Sequence, residues 1–331
     1  MKEVTAFYKV HGASLRVEAE NRQLADLAQA VLKPYRTTCR VASPHVLHLR
    51  CGDPRPTAAS VLLPQFWQGV LPEGQPIICR AGPAGRSIEL PGLAFAYMGA
   101  HERHALIIIQ SGASGPVVDG CIMPVLCEFL GRQGRHVIHA GSLVLKRGRR
   151  RRAVLLSGVS GAGKTTASLA LTGAGMELMT DDSTFVGPGR NRSDLRVWGM
   201  PTRLKVLTRT LDLLPWLQEL PRQPGRVRTE FSIDAALLAP PGPRRTAEPG
   251  AIVFLDARND HAHRVEAIDK TTTLTRLVRE NVRAYDRTAE GPAGRAFVAL
   301  ANLVRVSRTW RVSLCPDLES LYDVIAPLVE R

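Results

Sequence analysis

The chain lacks any apolar stretch long enough to span a bilayer, and its first residues (Met-Lys-Glu-Val-Thr) lack the charged-then-apolar pattern of a secretory signal. Both absences argue against a membrane or exported protein and make the cytoplasm the expected compartment. Internal repeats and low-complexity tracts are absent too. The six cysteines, at 39, 51, 79, 121, 127 and 315, form no Cys-x-x-Cys pair, and Cys121 and Cys127 have no histidine close enough to complete a zinc quartet. They read as reduced, mostly buried thiols. Acidic residues are scarce: 44 Lys plus Arg face 30 Asp plus Glu, for a net charge of +14. Such a balance favours anionic partners, including nucleotides, nucleic acid, acidic peptides and phosphorylated ligands. An arginine-rich bias of a GC-rich genome would produce the same excess.

At 331 residues, with 44% hydrophobic and 22% charged, the composition is that of an ordinary globular protein, and the length suggests two domains. Residues 1–118 read as short strands and turns with one helix. "ENRQLADLAQAVLKPY" spaces Leu24, Leu27 and Leu32 helically and stops before Pro34; "HVLHL", "LAFAYM" and "HALIII" read as strands. "SGASGPVVDG" (111–120) is the expected boundary, giving an N-terminal accessory or substrate-recognition domain (1–118) and a C-terminal domain (119–331). Beyond it, "CIMPVLCEFLGRQ" suits a helix, "HVIHAGSLVL" one strand, "KRGRRRR" a turn, and "AVLLS", "MELMT" and "AIVFLDA" strands. "TTTLTRLVRENVRAY" suits a helix, and "WRVSL" and "LESLYDVIAPLVE" close the chain as a strand and a helix. Strands alternating with helices predict a wound α/β sheet. "LPRQPGRVR" and "LAPPGPRRTAEPG" read as mobile loops.

One motif dominates. Gly158-Val159-Ser160-Gly161-Ala162-Gly163-Lys164-Thr165 fits Gly-x-x-x-x-Gly-Lys-[Ser/Thr] at every fixed position, between an apolar strand and a helical run, and Thr166 follows as a further nucleotide-binding candidate. Glycines at those positions let main-chain N–H groups converge on phosphate oxygens, and the positive end of the following helix faces the same anion. Lys164 would reach the β- and γ-phosphates of ATP or another nucleoside triphosphate, and the Thr165 hydroxyl would ligate Mg²⁺. The bland alternative is a Gly-rich strand-to-helix turn.

The next strand ends at Asp181 and Asp182, which should share a rim with Lys164, because ligands of wound sheets gather at the carboxyl ends of strands. One carboxylate could hold Mg²⁺ (Asp181 in this assignment) and the other take the proton of an attacking hydroxyl. A helix cap or loop pair is the alternative. His139, on the strand upstream, would be an unremarked packed or surface residue if it stood alone.

Taken together, "HAGSLVL…AVLLSGVSGAGKTTASLALTGAGMELMTDD" resembles the catalytic domain of the bacterial HPr kinase/phosphorylase family and its relatives. The shared elements are His139, the loop from Gly158 to Thr165, Gly175, and Asp181-Asp182, in that order. The resemblance is specific over 137–186 and continues weakly to the C-terminus. It implies a P-loop fold related to phosphoenolpyruvate carboxykinase for 119–331, beside a smaller strand-rich α+β domain. It also implies transfer of a phosphoryl group from ATP to a serine-type hydroxyl of a peptide or protein. Lys164 and Thr165 then bind triphosphate and Mg²⁺, Asp181 or Asp182 is the general base, and His139 neighbours the transferred group. "VWGMPTRLKVL" lacks the glutamate-bearing helical signature of the HPr enzymes and looks more like divergent kinases, including those encoded beside ribosomally made peptides. Relatives often form rings, so a homo-oligomer is implied.

Other features leave alternatives open. Lys146, Arg147 and Arg149 to Arg152 could clamp an acidic substrate or nucleotide phosphate, contact nucleic acid, or form a solvated hairpin tip. Arg203 and Lys205 would point to one side of a strand and stabilise transferred charge, or be an ordinary surface pair. The histidines of "HERH" (101–104) and "HAH" (261–263) have metal-like spacing without carboxylate or cysteine support. Two rival functions remain: a nucleotide-dependent regulatory or nucleic-acid-binding module without transfer, and a small-molecule hydroxyl kinase.

Overall fold

The computed structural model describes residues 3–330 except 41, 43, 72–73, 113–114, 190–193, 201–202, 226–228, 239–245, 257–260 and 283–290. The chain is a strand-rich mixed α/β protein that packs as two compact units, residues 1–133 with 284–293, and residues 134–283 with 294–331. Among the described residues no helix is long and apolar enough to cross a membrane.

The first unit is built on nine strands: β1 (Val4–Val10), β2 (Ala13–Ala19), β3 (Arg36–Thr37), β4 (His45–Cys51), β5 (Gln65–Val70), β6 (Pro76–Gly82), β7 (Gly85–Leu90), β8 (Ala94–Gly99) and β9 (His104–Ile109). They pair in the order β3-β1-β2-β4-β9-β8-β7-β6-β5. His11 (φ 51°) and Gly12 (φ 81°) both adopt the left-handed conformation between β1 and β2, as a tight two-residue hairpin turn requires. Helix α1 (Arg22–Leu32) starts at Asn21, whose side chain accepts from the Leu24 amide, and buries Leu24 and Leu32 as expected, while Leu27 is half-buried and Ala28 lies in the core instead.

The boundary falls after Gln133 rather than at 118. The intervening helix α2 (Met123–Arg132) belongs to the first unit: Glu128 pairs with Arg86 of β7, Arg132 donates to the Glu102 carbonyl, and Phe129 lies against the His45 ring.

The second unit contains β10 (His136–His139), β11 (Gly141–Arg147), β12 (Arg150–Ser157), β13 (Glu177–Thr180), β14 (Ser183–Pro188) and β15 (Leu195–Gly199). It continues with β16 (Arg203–Leu207), β17 (Arg222–Pro224), β18 (Glu230–Asp234), β19 (Thr246–Asp256), β20 (Arg264–Ala267) and β21 (Arg308–Ser313). Its main sheet runs β10-β14-β15-β19-β12-β11-β13, with β21 beside β19, and β16-β18-β17 form a small separate sheet. Among the described residues of this sheet only β12, β19 and β21 pair in parallel, so it is mixed rather than uniformly wound.

Helices cover both faces. Val154 and Leu156 of β12 and Val253 and Leu255 of β19 face a core that includes α3 (Lys164–Gly173), α4 (Thr208–Leu213) and α7 (Leu321–Glu330). The alternate residues, Ala153, Leu155, Ile252 and Phe254, face α5 (Lys270–Asn281) and α6 (Pro292–Val306). That alternation explains the unbroken apolar runs of β12 and β19, since both faces are buried.

Three expectations are corrected. "HVIHAGSLVL" is two strands broken at Ala140, because its ends pair with different partners, β14 and β12. "KRGRRRR" is the end of one strand and the start of the next, turning only at Gly148 and Arg149. The two loop stretches contribute β17 and the first residues of β19; their remaining central residues, like the end of "TTTLTRLVRENVRAY", lie partly outside the described residues. Phe254 is fully buried between sheet and helices. Phe254→Ala is expected to lower unfolding free energy by about 3–5 kcal/mol, read from the denaturation midpoint.

Candidate functional site

The parallel pair β12–β19 sets the geometry. Ser157 ends β12 opposite Phe254, and the chain then turns sharply at Gly158. A Cβ on Gly158 would lie 2.6 Å from the Leu255 carbonyl oxygen, so only glycine lets the loop leave the sheet there. Gly161 (φ 82°) and Gly163 (φ 93°) take left-handed conformations. Gly163 is the N-cap of α3 and supplies no side-chain acceptor, so the helix's first amides remain for an incoming anion. Val159 is 71% exposed and Ser160 and Gly161 are also exposed, which makes this loop an open rim. The Lys164 ammonium donates to the carbonyls of Gly158 (2.7 Å) and Val159 (3.3 Å), inside the curve of the loop. Ala162, Lys164 and Thr165 are half-buried; the Thr166 hydroxyl instead shares a 2.9 Å hydrogen bond with Thr210 of α4.

The two aspartates reach the same rim. Antiparallel β13 and β11 place Thr180 beside Ser142, at the level of the last turn of β12. The Thr180 hydroxyl accepts from the amides of Asp182 and Ser183, which shapes the acidic turn. A Cβ on Gly141 would touch both the Ser168 hydroxyl (3.0 Å) and the Asp181 carbonyl (3.1 Å), so the turn packs one helical turn along α3 from Lys164.

The adjacent carboxylates have opposite environments. Asp181 is buried, and burial together with the neighbouring Asp182 charge pushes its pKa up to about 7. The Asp182 carboxylate is exposed and meets His139 Nδ1 at 2.7 Å. Partial burial opposes its ionisation, but the His139 hydrogen bond and the charges of His139, Lys164 and Lys205 prevail and hold it below the usual carboxylate range. That hydrogen bond raises the imidazole above 6.5. His139, Lys164, Asp181, Asp182 and Lys205 thus form one electrostatic group. Lys205 is exposed on β16, between the buried Leu204 and Val206; the side chain of Arg203 lies outside the described residues.

Hard oxygen donors suit Mg²⁺. Thr165 offers a hydroxyl and Asp181 a carboxyl of that kind, though burial disfavours the Asp181 anion that a cation would need. Among the described residues no group of three or more His, Cys, Asp and Glu could hold a metal. His104 instead contacts His48, which pairs with Glu18, and His263 is engaged by Asp317 and Cys315.

The basic hairpin stands apart. It lies at the opposite end of β12 from Gly158, roughly 25 Å away at normal strand rise, too far to clamp an anion at the loop. Arg147 pairs with Glu330, Arg151 with Glu177, and Arg152 donates to the Val329 carbonyl.

Sequence reasoning overlooked several residues on the rim. Glu280 accepts from Ser157 at 3.0 Å, Asn281 accepts from the His139 amide at 2.6 Å, and Asp256, at the end of β19, pairs with Arg276 and Arg311. The one available signal was that "AIVFLD" ends in an acid beside the loop strand. Compared with known proteins, the chain matches no family model and no curated protein.

Asp181 yields a pH test. Its folded pKa exceeds its unfolded value, so stability is lost as pH rises from about 4 to about 7 and is level above that. Asp181→Asn does not titrate. Thermal denaturation without nucleotide should therefore show the variant gaining on the parent between pH 4 and 7.5; equal pH profiles would refute the buried-acid assignment.

Proposed function

We propose that the protein is an ATP- and Mg²⁺-dependent kinase of the HPr kinase-like superfamily, with a P-loop catalytic domain related to phosphoenolpyruvate carboxykinase. It transfers the γ-phosphoryl group to a serine-type hydroxyl of a peptide or protein, and the first unit serves substrate recognition. The observation that carries this reading is the ionised, exposed Asp182, held by His139 and facing the charge of Lys164 at the mouth of the phosphate loop.

In this reading the loop amides from Gly158 to Thr165 and the N-terminus of α3 bind the phosphates. Thr165 and Asp181 would hold Mg²⁺, which would supply positive charge against the phosphates. Asp182, already ionised, accepts the hydroxyl proton as the oxygen bonds to the γ-phosphorus. The bond to the β,γ-bridging oxygen breaks, and Lys164 stabilises the negative charge that passes to the departing diphosphate. His139 orients Asp182 and shares its charge, and Lys205 adds positive potential. These roles ask little covalent chemistry of the protein, as positioning and electrostatics dominate phosphoryl transfer.

Calorimetry with ATP and Mg²⁺ is expected to give saturable binding to the parent chain. Lys164→Ala should weaken it about 10–100-fold, as expected for losing charged hydrogen bonds to phosphate, with an unchanged circular dichroism spectrum. Phosphorylation of candidate serine peptides, followed by mass spectrometry, should vanish in Asp182→Asn. Normal turnover by either variant would overturn the assignment.

A further inference from the structure

We propose that the C-terminal end of α5 is the positioning element of this site, with Asn281 fixing the main chain of His139 and Glu280 fixing Ser157 at the root of the phosphate loop. The proposal rests on the kinase reading for its consequence but on geometry for its substance.

The phosphate loop and the His139–Asp182 pair stand on strands that are not ladder neighbours. β10, which ends at His139, pairs with β14, whereas β12 pairs with β11 and β19. His139 itself pairs with Ser183 of β14, and its link to the loop strand runs through Ala140 to Gly141 of β11, which pairs with Leu156 of β12. Helix α5 adds a second, side-chain tie. Arg276 and Glu280, four residues apart, lie on one face. Arg276 reaches Asp256 at the end of β19 (2.8 Å) and packs over the Phe254 ring, while Glu280 accepts from Ser157 at the end of β12 (3.0 Å). The next residue, Asn281, accepts the His139 amide of β10 (2.6 Å).

Three successive side-chain contacts thus tie one helix to the carboxyl ends of three strands. The Asn281 amide has a fixed sense. Its Nδ2 donates to the Leu277 carbonyl one turn back (2.9 Å), which leaves Oδ1 for His139. The helix itself is anchored at its start, where Asp269 caps the Thr272 amide, and along its buried face by Thr273 and Leu277. An anchored helix can transmit position; a loose one cannot. None of these residues need touch the nucleotide or the acceptor.

The test has two parts. Hydrogen exchange of the His139 amide is measured in the parent, Asn281→Ala and Asn281→Asp. Exchange is expected to accelerate up to about tenfold in Asn281→Ala, the scale of one net hydrogen bond. Asn281→Asp keeps the acceptor oxygen and should remain close to the parent. Steady-state ATP consumption with Mg²⁺ and the candidate serine peptides follows: Asn281→Ala should lower kcat about tenfold or more while the KM for ATP stays within about twofold, because the phosphate loop is intact. Unchanged His139 exchange in Asn281→Ala, or an equal effect on kcat and KM, would overturn the proposal. If the parent chain consumes no ATP, the kinase reading falls, while the exchange measurement still decides whether Asn281 positions His139.

Discussion

The parallel ladder between β12 and β19 is the constraint on which the site depends. It brings the Leu255 carbonyl against Gly158 and so dictates where the chain must leave the sheet and in which direction α3 begins. The same register carries Ser157 and Asp256 to one rim, within reach of α5. A chain that crosses its own sheet so closely has few alternative conformations at that point, and phosphate-binding loops use this stiffness to hold their amides convergent before an anion arrives.

Around that rim, electrostatics separates two chemically identical side chains. Asp181 and Asp182 are adjacent in sequence, yet one is buried beside a like charge and the other is exposed to a histidine and two lysines. Pairs of carboxyls pushed in opposite directions are a recurring way to obtain distinct roles from one residue type. The turn that separates them is held by the Thr180 hydroxyl.

How much of this could be read beforehand depended on how local each constraint is. The strand-to-helix turn from Gly158 to Thr165 was legible because its glycines answer to backbone conformations within a few residues, and α1, β9 and α7 were legible from periodicity and punctuation. The break at Ala140 was not, because both flanking segments are apolar and only their pairing partners differ. The domain boundary was misplaced because "SGASGPVVDG" has turn composition, while the attachment of α2 depends on distant partners such as Arg86 and His45. Glu280 and Asn281 gave no warning; an ordinary helix ending in Glu-Asn becomes significant only through Ser157 and His139, more than a hundred residues earlier in the chain.

The location of the arginine-rich hairpin decides how far its charge is felt. The hairpin and the glycine-rich loop occupy opposite ends of β12, roughly 25 Å apart. Counterions in physiological salt quench a field over about 8 Å, so the hairpin is electrically silent at the rim, whereas in about 0.01 M salt the range grows to about 30 Å. Its field would therefore reach the rim only in dilute buffer, and in physiological salt it stays with the far end of the sheet, where Arg147 and Arg151 already pair with Glu330 and Glu177.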